Sequence, residues 1–150
     1  MKLATALTER SDVQRRLSEL QSRLNNNAKV QEGDEPSEPP SALLAELDAL
    51  LARLEELVTR INLTNSATYA DGVPLTALLS RRDALRLRVS TMRSFLDCAS
   101  QKTDRYARSE IKVYSTVPVA ELQKQVDGYS KELREVDEKI QELNWTTELL

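Results

Sequence analysis

Residues 119–147 read VAELQKQVDGYSKELREVDEKIQELNWTT, and within them Val119, Leu122, Val126, Tyr129, Leu133, Val136, Ile140 and Leu143 recur at alternating spacings of three and four. That period places all eight on one stripe of an α-helix, and over more than three heptads it marks a coiled-coil or bundle seam. At 1.5 Å per residue such a helix is roughly 43 Å long. Working outward, the same spacing joins Leu43, Leu47, Leu50, Leu54, Leu57 and Ile61, and then Leu78, Leu85, Val89, Met92, Leu96 and Ala99 with Arg82 as an interruption. It joins Leu3, Ala6, Val13, Leu17, Leu20 and Leu24 as well, with Arg10 and Asn27 as polar breaks. The expected fold is all-α, one helical domain over 1–150. Four long helices, at about 2–27, 41–65, 76–101 and 118–147, form an elongated antiparallel bundle or coiled coil.

Composition agrees with this pattern. Leu, Glu, Ala, Arg and Lys fill 74 of the 150 positions, the balance of long or coiled helices. Three Gly, five Pro and six aromatic residues are too few for a sandwich or barrel and exclude a Gly-rich phosphate loop. The chain has no His, which removes imidazole acid–base catalysis, His-containing triads and imidazole-based zinc or di-iron sites. Cys98 is the one cysteine and cannot close an intramolecular disulfide. The apolar stretch near Met1 is too short for a signal-peptide core, and no run approaches a membrane span. These features lead to the expectation of a cytoplasmic protein with no cofactor, and the net charge of −3 argues against strong nucleic-acid binding.

The boundaries have local chemistry behind them. Pro36, Pro39 and Pro40 stop any helix in the first connector, an acidic stretch over about 28–40 that reads as a mobile linker, and Ser41 is placed to cap the next helix. Thr76 is placed to cap the third helix after Asp71-Gly72 and Pro74 turn the chain, and Pro118 suits the first turn of the fourth. Ile111, Val113, Ser115 and Val117 alternate with Lys112, Tyr114 and Thr116 in the two-residue period of a strand, and Ala67 to Ala70 precede Asp71-Gly72 in a second strand-and-turn pattern. The connectors can therefore supply a short β element. Made between the two connectors, across subunits, it requires a strand near 111–117.

Seam width and charge bear on packing. Leu44, Leu51 and Val58 widen the second stripe into the face of a helix with neighbours on two sides, whereas the first and fourth stripes stay narrow. Long helices with narrow seams often find a second partner in another copy, so a homo-oligomer is expected. Residues 81–112 hold nine Lys or Arg against four Asp or Glu, while 32–56 hold one against eight. A basic third helix beside acidic second and fourth helices pairs favourably and sets register.

The polar clusters Val30-Gln31-Glu32-Gly33, Arg60 to Asn65, Leu79-Ser80-Arg81-Arg82-Asp83, Arg105-Tyr106 with Ser109-Glu110-Ile111-Lys112, and Gln141 to Leu149 resemble those of the small bacterial proteins often labelled septicolysin. The resemblance runs over nearly the whole chain and implies, through that label, a membrane-active cytolysin. The residues themselves point elsewhere. Thiol-activated cytolysins set a Trp-rich segment beside a reactive Cys, but here Cys98 and Trp145 stand 47 positions apart. Cys98 precedes the seam residue Ala99 and reads as an inert, partly buried thiol.

Arg82 occupies a seam position where an aliphatic residue belongs, so it must be paired, with Asp83 or a neighbouring acid, and such a pair fixes register. The alternative is an anion pocket with Arg81 and Arg105. Asn62 and Asn65, and Asn144 with Trp145, lie near helix ends, where amides and an indole suit tight end-packing. Glu110, from the Ser109–Lys112 cluster, completes the interaction candidates. The carboxylates Glu132, Glu135, Asp137 and Glu138 read as a charged helix surface rather than a cation site. No catalytic or metal residue stands out. The expected role is a non-enzymatic, self-associating scaffold or partner-binding module; the alternatives are the cytolysin and nucleic-acid contact through Arg81, Arg82, Arg86, Arg88 and Arg93.

Overall fold

The computed structural model describes residues 1–101 and 111–150. It is all-α: α1 spans Leu3–Asn26, α2 Pro40–Ala67, α3 Leu75–Ser100 and α4 Val119–Thr146, with a two-stranded antiparallel hairpin of β1, Tyr69–Ala70, and β2, Val73–Pro74. Two compact units are formed, Met1–Pro74 with Leu143–Leu150, and Leu75–Glu142.

In the first unit α1 and α2 pack together along their stripes. Leu3, Ala6, Val13 and Leu20 are buried on α1, and Leu43, Leu50, Leu57 and Ile61 on α2. In the second unit Val89 and Leu96 of α3 meet Val126 of α4, with Met92, Val119, Leu122 and Tyr129 packed around them. The sequence implies neighbours on both sides of α2. One side meets α1, while on the other Leu44 stays 51% and Leu51 47% exposed.

Helix starts follow backbone chemistry more than side-chain caps. At α2, Pro40 takes the first helical position and Pro39 the N-cap, its carbonyl accepting from the amides of Ala42 and Leu43 at 3.0 and 3.3 Å. Proline's fixed φ and missing N–H suit that first position. The start therefore falls one residue before Ser41, which does not cap it. Thr76 likewise lies inside α3, where its carbonyl accepts from the Ser80 hydroxyl. Pro118 sits just outside α4, accepting from the Leu122 amide at 3.1 Å.

The β element comes from one connector, not two. Tyr69 pairs with Pro74 and Ala70 with Val73 around Asp71 at φ 52° and Gly72 at φ 79°, the two positive φ values a tight hairpin turn requires. The alternating stretch from Ile111 to Val117 is not a strand and is exposed up to Thr116, which corrects the expectation of pairing between connectors. Side-chain alternation does not supply an edge for the backbone groups to bond, and a strand needs one. The acidic linker is pinned near its end: the Glu38 amide donates to Asn27 Oδ1 at 3.0 Å, and its carboxylate takes Arg23 Nη2 at 2.6 Å.

Leu57 is fully buried between α1 and α2. Leu57→Ala is expected to cost about 2–5 kcal/mol through the lost transfer energy and the cavity left behind, measured by urea unfolding followed by far-UV circular dichroism.

Candidate interaction surface

The predicted residues fall into distinct places. Arg82 is half-buried on α3, and its Nε and Nη2 reach Asp83 Oδ1 at 3.1 and 3.0 Å. The polar interruption of the third stripe is thus satisfied by its own neighbour in sequence. Asn62 is exposed on α2, with its backbone carbonyl accepting from the Ser66 hydroxyl at 3.0 Å, and Asn65 is half-buried one turn on. Asn144 is buried, whereas Trp145 beside it is 66% exposed. Glu110, Arg105 and Tyr106 lie outside the described residues. Cys98 is free and exposed, not partly buried; one step from the seam residue Ala99 turns a helical side chain by more than a quarter of a circle, out toward water.

Sequence reasoning misses Thr64, which is fully buried near the end of α2. Its hydroxyl donates to the Arg60 carbonyl at 2.8 Å and accepts the Leu150 amide at 3.0 Å, while Arg60 Nε donates to the Leu150 carbonyl at 2.6 Å. The signal was present, since Thr64 continues the stripe of Leu43, Leu50 and Leu57 at seven-residue steps. Around it the two ends of the chain meet. Lys2 and Glu148 form an antiparallel bridge, the Leu3 amide donates to the Thr147 carbonyl at 3.0 Å, and the Leu149 amide donates to Met1 at 2.8 Å. The Glu148 carboxylate lies 2.7 Å from Lys2 Nζ and 3.0 Å from the Met1 ammonium.

Most charged groups are spent on one another. In the first unit Arg53 holds both Glu9 oxygens at 2.7 and 2.9 Å and also reaches Glu56 at 2.7 Å, and Arg23 bridges Glu38 and Glu46. In the second, Arg81 pairs with Glu132, Arg86 with Asp137 at 3.4 Å, Arg93 donates to the Ser130 hydroxyl, and Arg88 stacks 4.7 Å from the centre of the Tyr129 ring. Two of the five arginines of α3 thus pair with carboxylates of α4, Glu132 and Asp137, both of which the sequence groups as a charged surface. Hydrogen bonds from Arg53 hold the Glu9 and Glu56 carboxyls below their ordinary value, Arg23 does the same for Glu38, and Lys2 with the Met1 ammonium for Glu148. Such shifts stabilise charge at neutral pH and do not prepare a proton donor.

The second unit has an open groove of about 550 Å³ between Arg86, Arg93, Cys98 and Leu133. A second groove of about 490 Å³ runs along Glu9, Arg16, Glu46 and Arg53 in the first unit. Among the described residues no three His, Cys, Asp or Glu gather as a metal site, and no helix is long and apolar enough to cross a membrane. Exposed apolar side chains lie on helix faces, Leu44 and Leu51 on α2 and Leu87, 69% exposed, with Phe95, 47% exposed, on α3, and also in the connector before α4, at Ile111, Val113 and Tyr114.

Residues 10–149 match a family described as a family of unknown function, DUF6847. The chain is also 46% identical to a functionally unknown conserved protein from Corynebacterium diphtheriae whose crystal structure is known, with a TM-score of 0.94 over 100% of this chain and 99% of that one. No curated protein matches. Neither match carries the septicolysin label or an activity.

Because ion pairing lowers the Glu9 pKa in the folded chain, the unfolded chain binds the proton first as pH falls. Its stabilisation is present above the ordinary value of 4.5 and fades below it. Glu9→Gln should lower the melting temperature at pH 7 and shrink the fall in melting temperature between pH 6 and pH 3, as read by circular dichroism.

Proposed function

The chain belongs to this family of unknown function, and from that premise we propose that it is a non-enzymatic, self-associating cytoplasmic protein whose work is to hold a protein partner on its helix faces. The observation that carries this reading is the second apolar face of α2, where Leu44 and Leu51 stay half exposed although α1 already covers the other side. Fully burying a Leu or Phe is worth about 1.5–3 kcal/mol, so covering the exposed halves of Leu44, Leu51, Leu87 and Phe95 yields about 1 kcal/mol each. Two copies burying all four reach about 8 kcal/mol, the scale of micromolar association before its entropic costs. The α2 face alone supplies half of that.

The charge pattern supports binding over catalysis. Carboxylates held below their ordinary range by guanidinium partners stay ionised at neutral pH, and the chain has no imidazole to shuttle protons. The one thiol, free and exposed, suits a reducing compartment.

Light scattering at tens of micromolar protein is expected to give at least twice the 16.9 kDa chain mass; a monomer under those conditions overturns the reading. Dye-loaded anionic vesicles should stay intact at micromolar protein, and robust leakage would replace a scaffold with a membrane-active protein.

A further inference from the structure

We propose that self-association seats the exposed face of α2 against the exposed face of α3 of a second copy, with the two helices antiparallel. The inference rests on the self-association reading and adds the surfaces and the register.

With 3.6 residues per turn, Leu44, Leu51 and Val58 form one line on α2, seven residues apart. Asp48 and Glu55, exposed and without an ion pair among the described residues, edge that line on one side. On α3 the flank beside the Val89 and Leu96 stripe carries Ala77, Ala84 and Thr91, again at seven-residue steps and all exposed, with Arg81 and Arg88 along the edge next to Tyr129 and Glu132 of α4. Both edges lie on the same rotational side of their apolar lines. When two helices meet face to face, such edges come together only if the helices run antiparallel; in a parallel pair each edge faces the partner's opposite margin.

The register then follows from charge. Setting Asp48 beside Arg88 and Glu55 beside Arg81 uses the shared seven-residue spacing of both pairs. The same register puts Leu44 opposite Thr91, Leu51 opposite Ala84 and Val58 opposite Ala77, so larger aliphatic groups of α2 enter gaps left by small residues of α3. Leu87 falls beside Leu47, and Phe95 reaches the Pro40 end of α2, so the two exposed apolar residues of α3 are covered by the same contact. Arg88 stacks on Tyr129 with no carboxylate partner among the described residues, and Arg81 can bridge Glu55 and Glu132 through separate nitrogens.

Pairing α2 with α2 of a second copy is the competing arrangement. An antiparallel pair centred on Leu51 would bring Asp48 against Glu55 twice, like charges at both contacts. Charge therefore selects α3 as the occupant.

Two preparations test this, one Leu51→Cys and the other Ala84→Cys, both carrying Cys98→Ser so that each chain has a single thiol. Mild oxidation of the mixture should give a cross-linked dimer, and neither preparation alone should. Cross-linking of Leu51→Cys chains alone would show α2 pairing with itself, and cross-linking of Ala84→Cys chains alone would show the same for α3; either overturns the proposal. No cross-link from a mixture that light scattering shows to be dimeric overturns the surfaces while leaving self-association standing. A monomeric mass for the native chain ends both. Leu51→Asp, with helix content checked by circular dichroism, should weaken association at least tenfold, and an unchanged mass profile would likewise refute the α2 face.

Discussion

Two helices side by side hide only the stripe along which they touch, and most of the structure follows from that limit. In the first unit the stripe takes Leu20, Leu50 and Leu57 out of water and leaves Leu44 and Leu51 half in it. In the second it takes Val89, Leu96 and Val126 and leaves Leu87 and Phe95 outside. A globular core surrounded on every side would have absorbed these residues. A helical hairpin has no room for a second stripe, so apolar groups beyond the first remain available to another chain.

The margins of each stripe are closed by ion pairs whose pattern sorts the helices. Arg23 and Arg53 tie α1 to α2 through Glu46 and Glu9, while Arg81 and Arg86 tie α3 to α4 through Glu132 and Asp137. Exposed pairs contribute a few tenths of a kcal/mol each, too little to drive folding. A shifted register would break several at once and bring like charges together, so their collective effect is on which arrangement forms.

Much of the helical scaffold could be read from heptad spacing because leucine at every third or fourth position carries the decisive information. The stripe from Val119 to Leu143 lies within α4, and Asp71-Gly72 marked a hairpin that the structure places at that turn. Local backbone energetics were harder to read: Ser41 and Thr76 are good caps by type, yet a proline carbonyl opens α2 and Thr76 lies inside α3. Alternation at Ile111 to Val117 looks like a strand because side chains report faces, while strand formation depends on a backbone partner elsewhere. Of the interaction candidates, Arg82 with Asp83 was legible as a pair. The burial of Thr64 was legible as a continuation of the second stripe, but its partner was not, because the Leu150 amide lies 86 positions away, a contact that no local pattern encodes. The exposed faces of α2 and α3 were half legible, as widened or uncharged stripes whose exposure only the fold reveals.

The bridge between Lys2 and Glu148 joins positions almost a whole chain apart, and this bears on the order in which the molecule assembles. The α1–α2 hairpin closes a short loop through the first connector, at low entropic cost. The terminal bridge can form only after the intervening helices have brought its halves together, so it gains little until the rest is in place. Contacts of this kind slow folding more than they add to stability. By loop length alone, the contact of Thr64 with Leu150, 86 positions apart, and the terminal bridge are among the costliest closures in the chain, and the α1–α2 hairpin among the cheapest.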